Sequence, residues 1–192
     1  MSDDLDWLTS TLASDASGGD GALDGPMPIR PGQWAVGQAS TLTVAEGDNL
    51  ELREAVRRGP DPGPILVIGG SPHSRRAVLG DLFASWIQAR GFRAVILDGR
   101  VRDVAGLRAM ELQVWCRGVT PIASAKAGGG RVGGEIYCAG VRVAPGDLVV
   151  ADDDGVVVWP AARVPELLKR AQERLLRDQE RAALVAAGGE LD

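Results

Sequence analysis

The chain has 192 residues, a length that suits one domain with a sizeable hydrophobic core. Its formal net charge of −5 argues against a nucleic-acid-binding surface, which needs clustered Lys and Arg. It has no apolar run long enough to cross a bilayer, and its acidic start, MSDDLDWLTS, does not resemble a signal peptide. We therefore expect a cytoplasmic protein that binds neither nucleic acid nor membrane. Its two cysteines, Cys116 and Cys138, are expected to be free thiols.

A single domain over residues 1–192 is expected, because no repeat or linker interrupts the chain. Residues 1–30 are predicted to form a helix over 4–15, followed by the loop SGGDGALDGPMP. WAVGQASTLTV (34–44) alternates like a strand. EGDNLELREAVRRG (46–59) follows as a predicted helix, with Asp48 as N-cap and Glu51 three residues later.

The centre of the chain has the pattern of a βαβ unit. PILVIGG (64–70) reads as a short buried strand, and FRAVILDG (92–99) reads as the next one. Between them, SRRAVLGDLFASWIQARG (74–91) has helical spacing through Leu82, Trp86 and Ala89, with Gly91 as the predicted C-cap. Strand, helix and strand at this separation predict two parallel strands.

The C-terminal half is predicted to contain shorter elements. AGLRAMEL (105–112) indicates a short helix and VWCRGVTP (114–121) a strand. Residues 139–160 indicate several short strands separated by Pro-Gly and Asp-Gly turns. A last helix is predicted over 164–187, with Pro165 in its first turn. Its apolar stripe comprises Val164, Leu168, Ala171 and Leu175.

Two segments contain patterns that resemble ligand-binding motifs. AGGGRVGG (127–134) contains GxGxxG at Gly128, Gly130 and Gly133, but a dinucleotide site needs a strand before these glycines and a helix after them. Neither flank fits, so a mobile loop is favoured. The run from Asp152 to Asp154 could hold a metal, yet Asp-Gly between two apolar runs favours a hairpin turn.

Histidine and lysine are too scarce to support two common chemistries. His73 is the only histidine and lies in the loop SPHS, so a solvated loop residue is favoured over a zinc ligand or catalytic base. Lys126 and Lys169 are the only lysines, and neither lies in the apolar setting that a Schiff-base lysine needs.

The segment LDGRVRD (97–103) places two acids and two arginines where a buried strand ends. Such clusters usually pair internally, but sites in α/β folds also form at the ends of parallel strands. If a helix begins at Asp81 in LGDLF (79–83), its first amide groups provide an anion trap. Amides, an arginine and a cation-binding carboxylate together suit a small carboxylic acid bound to a metal. The residues alone leave both interpretations open.

Several segments taken together resemble the RraA-like family, which includes the 4-hydroxy-4-methyl-2-oxoglutarate/4-carboxy-4-hydroxy-2-oxoadipate aldolases. The segments are EGDNLELREAV, VIGG, RAVLGDLFASWIQARGFRAVILDGRVRDV, RGVTP and GVRVAPGDLVVADDDGVVVWP. The resemblance implies a compact α-β-β-α sandwich of the swivelling β/β/α type. It also implies a homotrimer, or a hexamer built from trimers, with sites between adjacent subunits.

The resemblance implies a class II aldolase that uses Mg²⁺ or Mn²⁺ to cleave 4-hydroxy-2-oxo diacids into pyruvate and a second 2-oxo acid. Oxaloacetate decarboxylation would pass through the same pyruvate enolate. Asp103 would hold the metal, Arg102 would bind substrate and stabilise charge, and Asp81 or a water it orients would transfer a proton. The implied substrate-binding residues are Gly80, Asp81, Leu82, Phe83 and Arg102.

The resemblance leaves three points open. An acid contributed by a neighbouring subunit in some aldolases has three candidates on the last helix: Glu166, Glu173 and Glu180. The alternative function is a non-catalytic regulator that binds and inhibits an RNA-degrading endonuclease. The presence of both Arg102 and Asp103 favours the enzyme. SGGDGALDGPMP and GSPHSRRA depart from the family pattern, which leaves the choice of substrate open.

Overall fold

The computed structural model describes residues 5–190, so residues 1–4 of the predicted N-terminal segment lie outside the described part of the chain. The helices are α1 Ser10–Ser17, α2 Leu52–Arg58, α3 Asp81–Ala89, α4 Val104–Arg108 and α5 Val164–Ala186, with a 3₁₀ turn at Ala161–Arg163. The strands are β1 Met27–Pro28, β2 Ala35–Thr43, β3 Ile65–Gly69, β4 Ala77–Leu79, β5 Ala94–Val101, β6 Gln113–Val119, β7 Arg131–Val132, β8 Ile136–Cys138, β9 Val141–Val143, β10 Leu148–Ala151 and β11 Val156–Trp159.

Four parallel strands form the centre of a nine-stranded mixed sheet. Its order is β1-β6-β5-β3-β2-β10-β11, with β4 also paired to β5 and β7 to β2. Strands β3 and β5 pair in parallel with Leu66 opposite Val95, which confirms the predicted βαβ unit. Strands β10 and β11 form an antiparallel hairpin that continues the sheet from β2.

Alternation along the central strands divides the core into two layers. Leu66, Ile68, Val95 and Leu97 belong to the cluster that packs against α2, α3 and α4. Their neighbours in the chain point to the other face, where they pack against the β8–β9 and β10–β11 hairpins. Both faces are therefore buried, which explains why these strands are almost uniformly apolar.

Helices α1 and α5 cover the outer face of the β10–β11 hairpin. Val150, Val157 and Trp159 on that face join Leu12 and Leu167 of the two helices in a third buried cluster. The layers thus run helices, sheet, hairpins and helices, which confirms the predicted α-β-β-α sandwich. None of the described helices combines the length and apolarity needed to cross a membrane.

Two predicted helices begin later than their periodicity indicates. The N-terminal helix starts at Ser10 rather than residue 4, because the Thr9 side chain accepts the Leu12 N–H at 3.2 Å and caps it there. The prediction of Asp48 as the N-cap of the second helix is wrong. Helix α2 begins at Leu52, and the Asp48 carboxylate instead binds backbone amides of nearby loops.

The segment 74–91 is only partly helical. Its first half contains β4, which pairs with β5 in parallel, and the helix begins only at Asp81. Leu82 does not belong to a buried stripe: it is 80% exposed, whereas Ala84 and Ile87 face the core. The last helix follows the prediction closely, with Leu167 and Ala171 buried.

Candidate active site

The two segments predicted to form a site lie side by side. Arg102 and Asp103 directly follow β5, and Gly80 lies between the end of β4 and the start of α3. The Arg102 backbone N–H donates to the Leu79 carbonyl at 2.9 Å, which fixes the two segments together. Because β4 and β5 are parallel, their carboxyl ends lie at the same edge of the sheet. The start of α3, which follows β4, therefore lies next to the end of β5.

Gly80 allows the close approach of these segments. A Cβ atom at this position would lie 2.6 Å from Asp103 Oδ2 and 3.2 Å from Arg102 Cγ. The Gly80 backbone is extended, with φ −131°, so the glycine is needed for space rather than for its conformational freedom. Arg102 Nε lies 3.3 Å from Asp103 Oδ2, and both side chains are about two-fifths exposed.

Asp103 has a left-handed backbone, with φ 56° and ψ 41°. This conformation costs of order 1–3 kcal/mol for a residue other than glycine, although Asp tolerates it better than most. Asp103 is the N-cap of α4, yet its side chain makes no capping hydrogen bond. Its carbonyl accepts the Leu107 N–H at 3.1 Å instead. The carboxylate is therefore not engaged by its own helix and faces Gly80.

A cavity of about 160 Å³ lies over this pair. Its lining includes Leu82 and Phe83, which were expected to bind substrate, and three polar residues that were not expected there: Asn49, Ser124 and Lys126. Helix α3 begins with Gly80 as its N-cap and has no side-chain cap, so within residues 5–190 no capping side chain occupies its first amide groups. The cavity thus combines two cations, one carboxylate and a helix N-terminus.

Lys126 reaches the cavity because a buried aspartate holds its loop. The Asp48 carboxylate accepts the Ala127 N–H at 2.6 Å and the Leu50 N–H at 2.8 Å. Burial acts to raise the pKa of Asp48, but these backbone donors overcome that effect and hold the pKa below its ordinary value. Its neighbour Asn49 is also buried and donates to the Val78 carbonyl at 2.9 Å.

Asp81 lies beside the cavity but not in its lining. Its carboxylate contacts helix α4, where a Cβ atom on Gly106 would lie 2.9 Å from Asp81 Oδ2. Asp81 is the first residue of α3, as the anion-trap interpretation requires. The geometry therefore brings the amide end of α3 to Arg102 and Asp103, while the Asp81 side chain points to the neighbouring helix.

The donor set fits a hydrated divalent cation rather than a fully caged one. Among residues 5–190 no three His, Cys, Asp or Glu side chains surround a common point. Asp103 offers one partly exposed carboxylate beside an open cavity. Mg²⁺ commonly keeps several waters and binds through one or two carboxylates together with ligand oxygens. The residues present are compatible with that mode of binding.

The sequence profile of the RraA-like family, described as Aldolase/RraA, matches residues 9–158. The chain belongs to the RraA-like family. A relative from Halalkalibacterium halodurans, named "Putative 4-hydroxy-4-methyl-2-oxoglutarate aldolase", is 33% identical over 93% of this chain and 85% of its own length. A relative from Shewanella oneidensis with the same name is 34% identical over 64% of this chain and 73% of its own length.

A solved RraA-like structure matches nearly the whole chain. Streptomyces coelicolor RraAS2, described as an unusual member of the RNase ES inhibitor RraA protein family, has a TM-score of 0.85. It is 26% identical, and the match covers 94% of this chain and 96% of that one. Names within the family thus point both to an aldolase and to an enzyme inhibitor.

In this RraA-like chain, the remaining charges of LDGRVRD have partners outside the segment, whereas Arg102 and Asp103 pair with each other as the internal-pairing interpretation expects. Asp98 is buried and forms an ion pair with Arg117, and it also accepts the Ala139 N–H at 2.9 Å. Arg100 donates through Nε to the Ser74 carbonyl. The internal-pairing and functional interpretations therefore meet on the same pair, Arg102 and Asp103.

The other motifs take the structural roles that were favoured. Asp152–154 forms the turn between β10 and β11, and Asp152 accepts hydrogen bonds from Ser10 at the start of α1. The glycine loop contains β7 and leads to β8 rather than to a helix, which excludes the dinucleotide fingerprint. His73 is an exposed loop residue, and both cysteines are free and buried.

Proposed function

We propose that this RraA-like protein is a divalent-metal-dependent aldolase acting on 4-hydroxy-2-oxo diacids, with oxaloacetate decarboxylation as a second activity. Pyruvate and a second 2-oxo acid are the expected aldol products. The contact between Gly80 and the Arg102–Asp103 pair carries the proposal, because it brings a cation, a carboxylate and backbone amides to one cavity. The names of two relatives support the same reaction class.

Asp103 is the residue that would hold Mg²⁺ or Mn²⁺, and the ion would supply Lewis-acid polarisation of the 2-oxo group. Arg102 is positioned to bind the same end of the substrate. Its guanidinium offers several donors in one plane, which suits a carboxylate and the oxygen on which negative charge develops as the carbon–carbon bond breaks. The pairing of Arg102 with Asp103 orients both groups before substrate binds.

The first turn of α3 would bind the substrate carboxylate through backbone amides, with Leu82 and Phe83 in the cavity wall. Lys126 enters from another loop and would meet a second carboxylate, which accounts for a diacid substrate. Asn49 offers its carbonyl oxygen, because its amide nitrogen is already bonded to Val78. In this arrangement, the two ends of a diacid would bind different cationic side chains, Arg102 and Lys126.

We assign proton transfer to Asp81 acting through a water that it orients. Its carboxylate contacts α4 rather than the cavity, so direct transfer to the substrate would require the side chain to move. Asp81→Asn is consequently expected to lower turnover less than Asp103→Asn does, while leaving metal affinity unchanged. The Mn²⁺ affinity, measured by electron paramagnetic resonance, separates these two roles.

We propose a homotrimer, or a hexamer of trimers, with the site next to a subunit interface. Three large apolar side chains are exposed near the cavity. Leu82 lines the cavity, Ile122 directly precedes the lining residue Ala123, and Val119 is the last residue of β6. The glutamates considered as the neighbouring subunit's contribution, Glu166, Glu173 and Glu180, lie on α5 in the outer helical layer. They could reach this cavity only from another subunit of the assembly.

The test is pyruvate release from oxaloacetate and from 4-hydroxy-4-methyl-2-oxoglutarate, with Mg²⁺ and after chelation. Asp103→Asn should lower turnover at least about 100-fold by removing the metal carboxylate. Arg102→Ala should lower it by about 100-fold, as loss of a charge-stabilising donor does. Asp154→Asn and Arg177→Ala are matched controls, because both residues are exposed and neither lines the cavity. Turnover that survives chelation or Asp103→Asn would contradict the metal assignment.

A non-catalytic regulator of an RNA-degrading endonuclease is the second candidate. The observation that favours it is the description of RraAS2 as a member of an RNase ES inhibitor family. A regulator should bind and inhibit such an endonuclease equally well with Asp103→Asn in place. Inhibition together with no turnover on either 2-oxo acid would select this candidate over the aldolase.

A further inference from the structure

A second cavity lies at the opposite end of the same parallel strands. Its volume is about 420 Å³, within the range of small-molecule sites. Gln113 begins β6, and Arg93 directly precedes β5, so both stand at the amino ends of their strands. Strand β5 separates Arg93 from Arg102 by roughly 25–30 Å of extended chain. The proposed aldolase uses none of these residues.

The cavity contains an unusual set of unmatched polar groups. Gln113 Nε2 donates to the Glu111 carbonyl, which fixes the amide and leaves the buried Oε1 without a hydrogen-bond donor. Burying such an acceptor without a partner costs of order 1–3 kcal/mol. Gln88 has the complementary arrangement, because its Oε1 accepts the Leu112 N–H while its Nε2 has no acceptor within residues 5–190.

Two opposite charges line the same cavity without pairing to each other. Arg93 uses Nη2 on the Val36 carbonyl at 3.2 Å, and within the described chain neither it nor Glu111 forms an ion pair. The remaining wall is apolar and includes Trp34 and Phe92. A donor, a cation and an anion therefore surround an apolar space.

We propose that this cavity binds a zwitterionic α-amino acid with an apolar side chain. Its carboxylate would bind the Arg93 guanidinium and the Gln88 amide. Its ammonium group would donate to the Glu111 carboxylate, and its side chain would lie against Trp34. A simple carboxylate would leave Glu111 unmatched, and a simple amine would leave Arg93 unmatched, so a ligand with both groups matches both charges.

Isothermal titration calorimetry on the wild-type protein tests the proposal directly. L-leucine and L-phenylalanine are the probes, and 4-methylpentanoate and isoamylamine are the controls that each lack one charged group. We expect one of the amino acids to bind with a Kd below about 10 mM and at least about tenfold more tightly than either control. No binding by either amino acid at that concentration, or equal binding of the controls, would overturn the proposal.

Three variants locate the site. Glu111→Gln changes only an exposed side chain, and it should weaken amino-acid binding about tenfold without weakening that of 4-methylpentanoate. Arg93→Gln should weaken the binding of both, whereas Arg177→Gln on the exposed face of α5 should weaken neither. Unchanged amino-acid affinity in Glu111→Gln would refute the assignment even if Arg93→Gln fails to fold. Because binding is the readout, the result does not depend on whether the protein is an aldolase.

Discussion

Gly80→Ala is the substitution that most directly tests the geometry of the proposed active site. The new methyl group would lie 2.6 Å from Asp103 Oδ2, whereas ordinary contact begins at 3.4 Å. The carboxylate must therefore move by about 0.8 Å, and Arg102, whose Cγ and Nε would both lie 3.2 Å away, must move with it. A displacement of this size at a reacting centre lowers turnover by about 100-fold.

The same substitution should cost little stability. Gly80 has φ −131°, which alanine adopts freely. The atoms that its methyl group would displace belong to side chains that are about two-fifths exposed and can rotate into solvent. A rotamer shift of that kind costs about 0.5–1.5 kcal/mol for each side chain. We therefore expect a small change in Tm beside a large change in kcat/KM.

The assay combines pyruvate release, Mn²⁺ affinity and thermal unfolding on the same preparations. Gly106→Ala is the matched control, because its methyl group would press on Asp81 at 2.9 Å and not on Asp103. We expect Gly80→Ala to lose both turnover and Mn²⁺ affinity, and Gly106→Ala to keep Mn²⁺ affinity. Wild-type turnover in Gly80→Ala would refute the reasoning, because the Asp103 carboxylate could not then need its observed position.

Three further predictions concern the structure around the site. Asp48→Asn should lower the free energy of unfolding by about 1–3 kcal/mol and raise KM, since Asn lacks one acceptor for the loop amides. The depressed pKa of Asp48 means that its stabilisation is present above the ordinary value of 3.8 and is lost as pH falls below it, so acid titration of the variant should be flatter. Asp98→Asn should cost about 3 kcal/mol in urea unfolding by leaving Arg117 unpaired. Burial raises the pKa of the Cys116 thiol to about 11 and raises that of Cys138 as well, so both should resist a thiol reagent at pH 8 until the protein unfolds.

Local patterns in the sequence were sufficient to predict the central strands of the sheet. The run from Ile65 to Gly69 and the run from Ala94 to Leu97 are buried on both faces, so uninterrupted apolar residues predicted them correctly. Helix α5 was equally predictable, because one apolar stripe follows its helical period.

Helix starts were less predictable, because contacts distant in the chain decide them. Asp48 has the residue type and spacing of an N-cap, but its carboxylate binds the Ala127 amide 79 residues away. Residues 77–79 have helical spacing, yet parallel pairing with β5 draws them into the sheet. Side-chain periodicity carries no information about either partner.

Residues of the candidate site were likewise predictable only where a local sequence motif marks them. Gly80 and the Arg102–Asp103 pair were identified from their short motifs and from the resemblance to a family. Lys126 was considered only as a Schiff-base candidate, because its place in the cavity depends on the loop that Asp48 holds. The short segment IASAK between Pro121 and the glycine loop gives no local signal of that kind.

Backbone conformation explains why one acid of LDGRVRD is available for binding and the other is not. Pairing of β5 with β6 shifts register between Leu97 and Arg100, and Asp98 turns inward to Arg117 at that irregularity. The chain then leaves the sheet and enters the left-handed region at Asp103, whose carboxylate caps no helix and faces the open cavity. The energetic cost of that conformation is retained where it exposes a charge beside Gly80, which agrees with the proposed role of Asp103 as the metal-binding residue.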